Sequence, residues 1–182
     1  MKRVLLLGDS IRLGYQPLVA EALRGEAEVV GPEDNGRFAK YTLWGVNGWL
    51  REFGPPAVVH WNNGLWDLNH EAPMVEALTP LGEYLETLRR TLCELQRIGA
   101  AIVFATTTPV PVDAIGRSNA EIDLYNEAAS ALMARLGVAV NDLNAVLRQD
   151  LATCIDEDRL HLSDEGNRRC ARAVVGAVRS HL

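Results

Sequence analysis

The chain has 182 residues, of which 48% are hydrophobic and 23% charged, and its formal net charge is −6 at pH 7. This balance is typical of a globular protein, and the length suits one domain over residues 1–182 with a single well-filled core. The acidic charge and the lack of a basic stripe argue against nucleic acid or an anionic membrane as a partner.

The N-terminal segment begins with the basic pair Lys2-Arg3 but does not resemble a secretory signal. Its apolar stretch is shorter than the roughly 7–15 residues of a signal core, so it is better explained as a first strand. No apolar run approaches the roughly 20 residues of a membrane-spanning helix. The three cysteines are widely spaced and form no CxxC pair, which predicts free thiols in a cytoplasmic protein without a metal or other cofactor.

Unbroken apolar runs alternate with helical patterns along the chain. Strands are expected at residues 3–7, 27–30, 57–61, 100–105 and 138–140. Helices are expected at residues 15–23, 80–98 and 119–136, and from residue 163 to the C-terminus. Such strands, connected by helices, predict a doubly wound α/β sandwich whose five-stranded parallel sheet is covered by helices on both faces.

Polar residues follow three of the predicted strands. Asp9-Ser10 follows the first strand, Asn62-Asn63 the third, and threonines 106–108 the fourth. In sheets of this kind, ligands bind beyond the carboxyl ends of the strands. The functional site is therefore expected at this edge, to which the segment before the last helix can return.

Ser10 stands where a strand turns into a helix, so it is either a helix cap or a nucleophile. A serine nucleophile needs a base, and the base needs a group that holds its tautomer. His161 fits the base because Asp158, three residues earlier, can accept from its Nδ1–H. The Asp-x-x-His spacing alone is also typical of a capping and surface pair. The other histidines are expected in a buried strand (His60), a polar loop (His70) and the solvated chain end (His181).

Asn62 ends the third predicted strand. Its side-chain amide can donate to a developing oxyanion, beside the backbone N–H of Ser10. The sequence Asn-Asn-Gly is equally typical of a turn closed by its own side chains.

Three segments together resemble the SGNH/GDSL hydrolases over nearly the whole chain: VLLLGDS, Asn-Asn-Gly-Leu and DRLHLSDEG. The resemblance implies a flavodoxin-like sandwich in which Ser10 is the nucleophile, His161 the general base and Asp158 the group that orients the base. It also implies an oxyanion hole formed by the N–H of Ser10, a second-block backbone N–H and the side chain of Asn62.

The second block departs most from the family pattern. When Asn35 is kept in register, the family's glycine falls at Lys40, and Gly36 and Gly45 are the competing donors. An alternative alignment makes Asn63 the oxyanion donor instead of the preferred Asn62.

Asp9, Asn63 and Trp66 are expected to contact the substrate. Trp66 is one of four tryptophans near the proposed site, and the others are Trp44, Trp49 and Trp61. Two of the four are candidates for an acyl or sugar pocket, although core packing is the better explanation for Trp61 on its strand. Asp67 is expected only to hold its loop by local hydrogen bonds.

The predicted function is a serine ester hydrolase that forms an acyl-enzyme. Its expected partner is a small-molecule ester with a short acyl group, O-acetyl carbohydrates being one candidate, because few insertions leave the site shallow. Two alternatives remain: a flavodoxin-like module that binds an anion at the Gly-Asp-Ser turn, and a degenerate esterase without turnover.

Overall fold

The computed structural model describes the whole chain, residues 1–182, as an α/β protein with one parallel sheet. Its strands are β1 (Lys2–Leu7), β2 (Ala27–Val30), β3 (Val58–Asn62), β4 (Ala101–Ala105) and β5 (Ala139–Asn141). Its helices are α1 (Ser10–Ala22), α2 (Ala39–Phe53), α3 (Leu81–Gln96), α4 (Asn119–Arg135), α5 (Leu143–Arg148), α6 (Leu151–Cys154) and α7 (Asp164–Arg179). None of these helices combines the length and the apolar character that crossing a membrane requires.

The strands lie in the order β2-β1-β3-β4-β5, and every neighbouring pair is parallel. The chain runs outward from β1 to β2 and then returns past β1 to β3. Right-handed crossovers therefore put α1 on one face of the sheet and α2, α3 and α4 on the other. The helix contacts agree, since α1 packs on α7, α2 on α3, and α3 on α4. This flavodoxin-like order confirms the predicted fold class, and its switch point lies between β1 and β3.

The central strands β1 and β3 form the middle of the core. Residues 4–7 of β1 and all of β3 are buried. Trp61 is fully buried and packs edge-on against Phe104, with ring centroids 5.2 Å apart, which confirms its predicted core role. His60 is buried as well, and its Nε2 accepts an amide hydrogen from Asn141 at 3.1 Å. Burial lowers the pKa of His60 to about 3, so it is the neutral core histidine that the sequence predicts.

Helix α2 is the main element that the sequence pattern does not predict. Gly45 and Gly48 lie inside it, and glycine lowers helix propensity. The residue before the helix, Phe38, supplies no side-chain cap. The carboxyl group of Asp67 caps the helix instead, accepting from the N–H of Ala39 at 3.0 Å. The signal for this helix therefore lies far along the chain from the helix itself.

Candidate active site

The strand-to-helix turn after β1 holds Ser10 at the carboxyl end of the sheet. Gly8 has a φ of 156°, and a side chain there would meet Cβ of Arg12 at 2.9 Å. Asp9 caps α1 by accepting from the N–H of Ile11 at 3.0 Å, and Ser10 is the first residue of the helix. Ser10 therefore lies both in the first helical turn and at the edge where ligands of such sheets bind.

Ser10, His161 and Asp158 form a hydrogen-bonded Ser–His–Asp array. Nδ1 of His161 lies 2.5 Å from Oδ2 of Asp158, and Nε2 lies 2.9 Å from Oγ of Ser10. The other oxygen of Asp158 accepts from the backbone N–H groups of Leu160 at 3.0 Å and His161 at 2.9 Å. The side-chain bond from His161 and these backbone bonds lower the pKa of Asp158 to about 2. The carboxylate is thus ionised and oriented toward Nδ1, which leaves Nε2 to accept from the serine hydroxyl.

The loop that carries His161 is tied to α7. The hydroxyl of Ser163 caps this helix by accepting from the N–H of Gly166 at 3.2 Å. A side chain at Gly166 would lie 2.1 Å from the carbonyl oxygen of Cys154, so the helix start and the loop approach closely. Across the loop, the N–H of Asp156 donates to the carbonyl of His161 at 2.8 Å. These contacts fix the backbone of His161, and hence the direction of its ring.

The array is open to solvent. The side chains of His161 and Asp158 are 45% and 50% exposed, and Ser10 is half-buried. A cleft of about 200 Å³ adjoins Asp158 and is bordered by Arg117 and Leu160. The arrangement leaves room for a bulky group on the solvent side of Ser10.

The backbone N–H of Ser10 donates to no group within the protein, as an oxyanion donor requires. Gly36 is occupied, because its N–H donates to the carbonyl of Gly8 at 3.0 Å. Gly45 lies in the interior of α2, packed against Trp49. Neither competing second-block candidate is therefore free to donate.

Lys40 is the second residue of α2. Its backbone N–H has no acceptor within the protein, and its ammonium group pairs with Glu83. The N–H of Phe38 is also unpaired, whereas that of Ala39 is bound by Asp67. The backbone N–H of Lys40 is thus free to donate, as the alignment with the second block of the family pattern requires.

The amide of Asn62 makes hydrogen bonds within the protein, and its oxyanion role stays a prediction. Its Nδ2 lies within hydrogen-bond distance of two backbone carbonyls at the end of β4, those of Ala105 at 3.0 Å and Thr106 at 3.1 Å. The side chain thus joins β3 to β4. Asn63 is fully buried; its Nδ2 donates to the carbonyl of Arg37 at 3.2 Å.

Two of the three predicted substrate contacts need correction. Asp9 is completely buried, and its pKa is raised to about 6, chiefly by burial. Asn63 is equally buried, and its Oδ1 accepts from Nε1 of Trp61 at 2.7 Å. Their side chains therefore build the site rather than contact a ligand. Trp66 is half-buried in the turn after β3, and contact with a ligand stays a prediction for it.

Asp67 has a larger role than the local hydrogen bonds expected of it. Both of its carboxyl oxygens lie 3.0 Å from the backbone nitrogen of Ala39, which is 28 positions away along the chain. Burial is the main cause that raises the pKa of Asp67 to about 7. Asp67 therefore fixes the start of α2 beside the site. The only signal in the sequence is an acidic residue shortly after the polar end of a buried strand.

Comparisons with known proteins bear on the fold. Solved structures align over almost the full length of both chains. An acetyl xylan esterase (AlAXEase) has a TM-score of 0.81 at 22% identity, covering 97% of this chain and 99% of its own. A lipase/acylhydrolase from Enterococcus faecalis has a TM-score of 0.87 at 19% identity, covering 100% and 97%. A carbohydrate acetylesterase family member from Sinorhizobium meliloti has a TM-score of 0.79 at 18% identity, covering 100% and 99%.

No protein-family model and no curated protein sequence matches the chain. The structural likeness therefore establishes the fold. The chain has the α/β fold of these esterases and acylhydrolases, which is the fold implied by the resemblance to the SGNH/GDSL hydrolases.

Proposed function

We propose that the protein is a serine ester hydrolase of the SGNH/GDSL type that works through an acyl-enzyme. The observation that carries this proposal is the Ser–His–Asp array, in which Oγ of Ser10 lies 2.9 Å from Nε2 of His161. Asp158 holds the opposite ring nitrogen at 2.5 Å. A hydroxyl needs a positioned base to lose its proton during attack, and the base needs a partner that holds its tautomer.

In the proposed reaction, Oγ of Ser10 attacks the ester carbonyl carbon while its proton passes to Nε2 of His161. The tetrahedral intermediate collapses, the bond to the alcohol oxygen breaks, and the alcohol leaves with the proton from Nε2. A water molecule then gives a proton to Nε2 and attacks the acyl carbon. The carboxylic acid leaves, and Ser10 recovers its proton. Asp158 stays ionised throughout and stabilises the imidazolium form of His161.

The oxyanion of the intermediate forms beside the backbone N–H of Ser10. We assign the second donor to the backbone N–H of Lys40 in the first turn of α2. The free N–H groups at both positions support this assignment, as does the contact between Gly36 and Gly8, which joins the two segments. Donors aimed at developing negative charge are a large source of rate enhancement in acyl transfer.

The substrate class that we propose is a short acyl group, such as acetyl, on a bulky hydrophilic alcohol. The exposure of His161 and Asp158 supports a large leaving group, because little protein surrounds these two side chains. An acetyl xylan esterase and a carbohydrate acetylesterase family member share the fold, which favours an O-acetylated carbohydrate.

Hydrolysis of p-nitrophenyl acetate by the wild type and Ser10→Ala tests the proposal. We expect a drop in kcat of about 10³-fold or more in the variant, because the nucleophile is lost. Equal rates in the two proteins would refute the assignment of Ser10. A wild type that hydrolyses no short ester would instead favour the anion-binding module.

A further inference from the structure

Four aromatic side chains of α2 and the residue before it form a connected group, here called the aromatic row. The row consists of Phe38, Tyr41, Trp44 and Trp49. Ring centroids are 6.3 Å apart for Phe38 and Tyr41, 5.4 Å for Tyr41 and Trp44, and 6.3 Å for Tyr41 and Trp49. All three contacts involve Tyr41, so the four rings form one connected group around it.

The row is only partly covered by protein. Trp44 is 76% exposed, while Phe38, Tyr41 and Trp49 are half-buried. Large exposed aromatic surface that is continuous rather than scattered marks a contact site for another molecule. Trp49 packs against Gly45, where any side chain would meet its ring at 2.5 Å, so this glycine allows the ring to lie flat along the helix.

Charged groups border the aromatic row. The guanidinium of Arg37 lies over one face of the Tyr41 ring, with its carbon 4.8 Å from the ring centroid. Asp34 accepts from the Tyr41 hydroxyl and lies 3.8 Å from the guanidinium of Arg37. A surface of aromatic faces edged by hydrogen-bonding groups matches a sugar ring, which has apolar C–H faces and hydroxyls at its rim. An acyl chain or a second copy of the chain would have to desolvate these charges.

The row begins at the candidate active site. The N–H of Gly36 donates to the carbonyl of Gly8 at 3.0 Å, two residues before Ser10. Arg37 has a φ of 46°, a strained value for a residue with a side chain. Its N–H donates to Oδ1 of Asn35 at 2.8 Å, and its carbonyl accepts from Asn63 at 3.2 Å. These bonds hold the strained residue, and with it the start of the row, against the catalytic edge.

We propose that the aromatic row binds pyranose rings of the leaving group, next to the ester held at Ser10. This inference rests on the proposed esterase function and specifies its substrate as an acylated oligosaccharide rather than a small free alcohol. A sugar ring stacks on Trp44, the exposed member of the row, and Arg37 and Asp34 bond to its hydroxyls. The row thus selects the leaving group, while the Ser–His–Asp array acts on the acyl group.

Two substrates separate this role from catalysis: p-nitrophenyl acetate, which has no sugar, and an acetylated xylo-oligosaccharide. In Trp44→Ala, the ratio of kcat/KM for the oligosaccharide to that for p-nitrophenyl acetate is expected to fall about 10-fold. Most of the change appears in KM, and Trp44→Phe, which keeps a ring, recovers much of it. The matched control is Leu124→Ala on α4, another exposed apolar position (52% exposed), which leaves the ratio unchanged. An unchanged ratio in Trp44→Ala overturns the proposal.

Binding measured without turnover distinguishes a failure of this proposal from a failure of the esterase assignment. In Ser10→Ala, titration with an unacetylated xylo-oligosaccharide is expected to change tryptophan fluorescence saturably, and adding Trp44→Ala abolishes the change. If the wild type hydrolyses esters but Ser10→Ala shows no such binding, the proposed sugar site is wrong and the esterase assignment stands. A Ser10→Ala protein that binds the oligosaccharide but hydrolyses esters like the wild type contradicts only the nucleophile. If sedimentation shows a dimer that Trp44→Ala dissociates, the row is an interface between copies and the proposal is wrong.

Discussion

The two sides of the candidate active site are held in different ways. On the side of His161, the bonds that shape the Asp-x-x-His turn are local: the carboxylate of Asp158 accepts from the backbone N–H groups of Leu160 and His161. On the side of α2, the stabilising bonds come from far along the chain, since Asp67 caps Ala39 from 28 positions away. The difference shows why short motifs reveal the first side and not the second.

Each side also contains a residue other than glycine with a positive φ. In the loop of His161, Arg159 has a φ of 64°, and its N–H donates to the carbonyl of Asp156 at 3.1 Å, three residues earlier. Before α2, Arg37 has a φ of 46°, and its carbonyl accepts from Nδ2 of Asn63, 26 positions away. The backbone bond of Arg159 is therefore local, whereas the backbone of Arg37 combines a local bond to Asn35 with a distant bond from Asn63. Substitutions on one side at a time separate the two contributions.

The largest effect is expected from Asp158→Asn on the locally held side. The amide no longer stabilises the imidazolium of His161 or enforces its tautomer, so kcat should fall by about 10⁴-fold while the fold persists. Steady-state kinetics on p-nitrophenyl acetate and a circular dichroism spectrum check both points. Asp156→Asn, in the same loop, is the matched control and should change kcat little. If Asp156→Asn costs as much as Asp158→Asn, the orienting role belongs elsewhere.

On the distant side, Lys40→Pro should lower kcat by about 10²–10³-fold, because it removes one backbone N–H from the oxyanion site. Proline is tolerated in the first turn of a helix, so α2 should remain folded. Lys40→Ala keeps the N–H and loses only the ion pair with Glu83, and its kcat should stay near that of the wild type. Similar kinetics in the two variants would remove Lys40 from the oxyanion hole.

The substitution Asp67→Asn tests the side of α2 through the pH dependence of the free energy of unfolding. Burial raises the pKa of Asp67 to about 7, so the folded protein holds a proton that the unfolded chain releases at lower pH. The free energy of unfolding therefore falls as pH rises from about 4 to about 7, and this group contributes about 2 kcal/mol of loss between about pH 5 and 7.5. Urea unfolding at these two pH values should show a smaller loss in Asp67→Asn. A loss of the same size in both proteins would mean that Asp67 is ionised in the fold throughout this range.

The fold could be predicted because its signal is periodic and local. Each of the five apolar runs lies within one residue of an observed strand at both ends. Helix α2 could not be predicted in this way, because Gly45 and Gly48 weaken its pattern and its cap comes from Asp67.

The same distinction applies to the site residues. The spacing of Asp158 and His161 encodes their hydrogen bond, since three residues form one tight turn. The amide of Asn62 is directed by the carbonyls of Ala105 and Thr106, which lie at the end of another strand. No pattern near Asn62 indicates the position of those carbonyls, so the sequence could not reveal these two contacts.

Covalent labelling tests the central claim most directly. The protein is treated with an organophosphonate ester probe, and intact mass and peptide mapping then locate the adduct. We predict one phosphonyl group per chain, bonded to Oγ of Ser10, with no adduct in Ser10→Ala and much slower labelling in His161→Ala. Labelling at another residue, or equal labelling of the wild type and Ser10→Ala, would contradict the account.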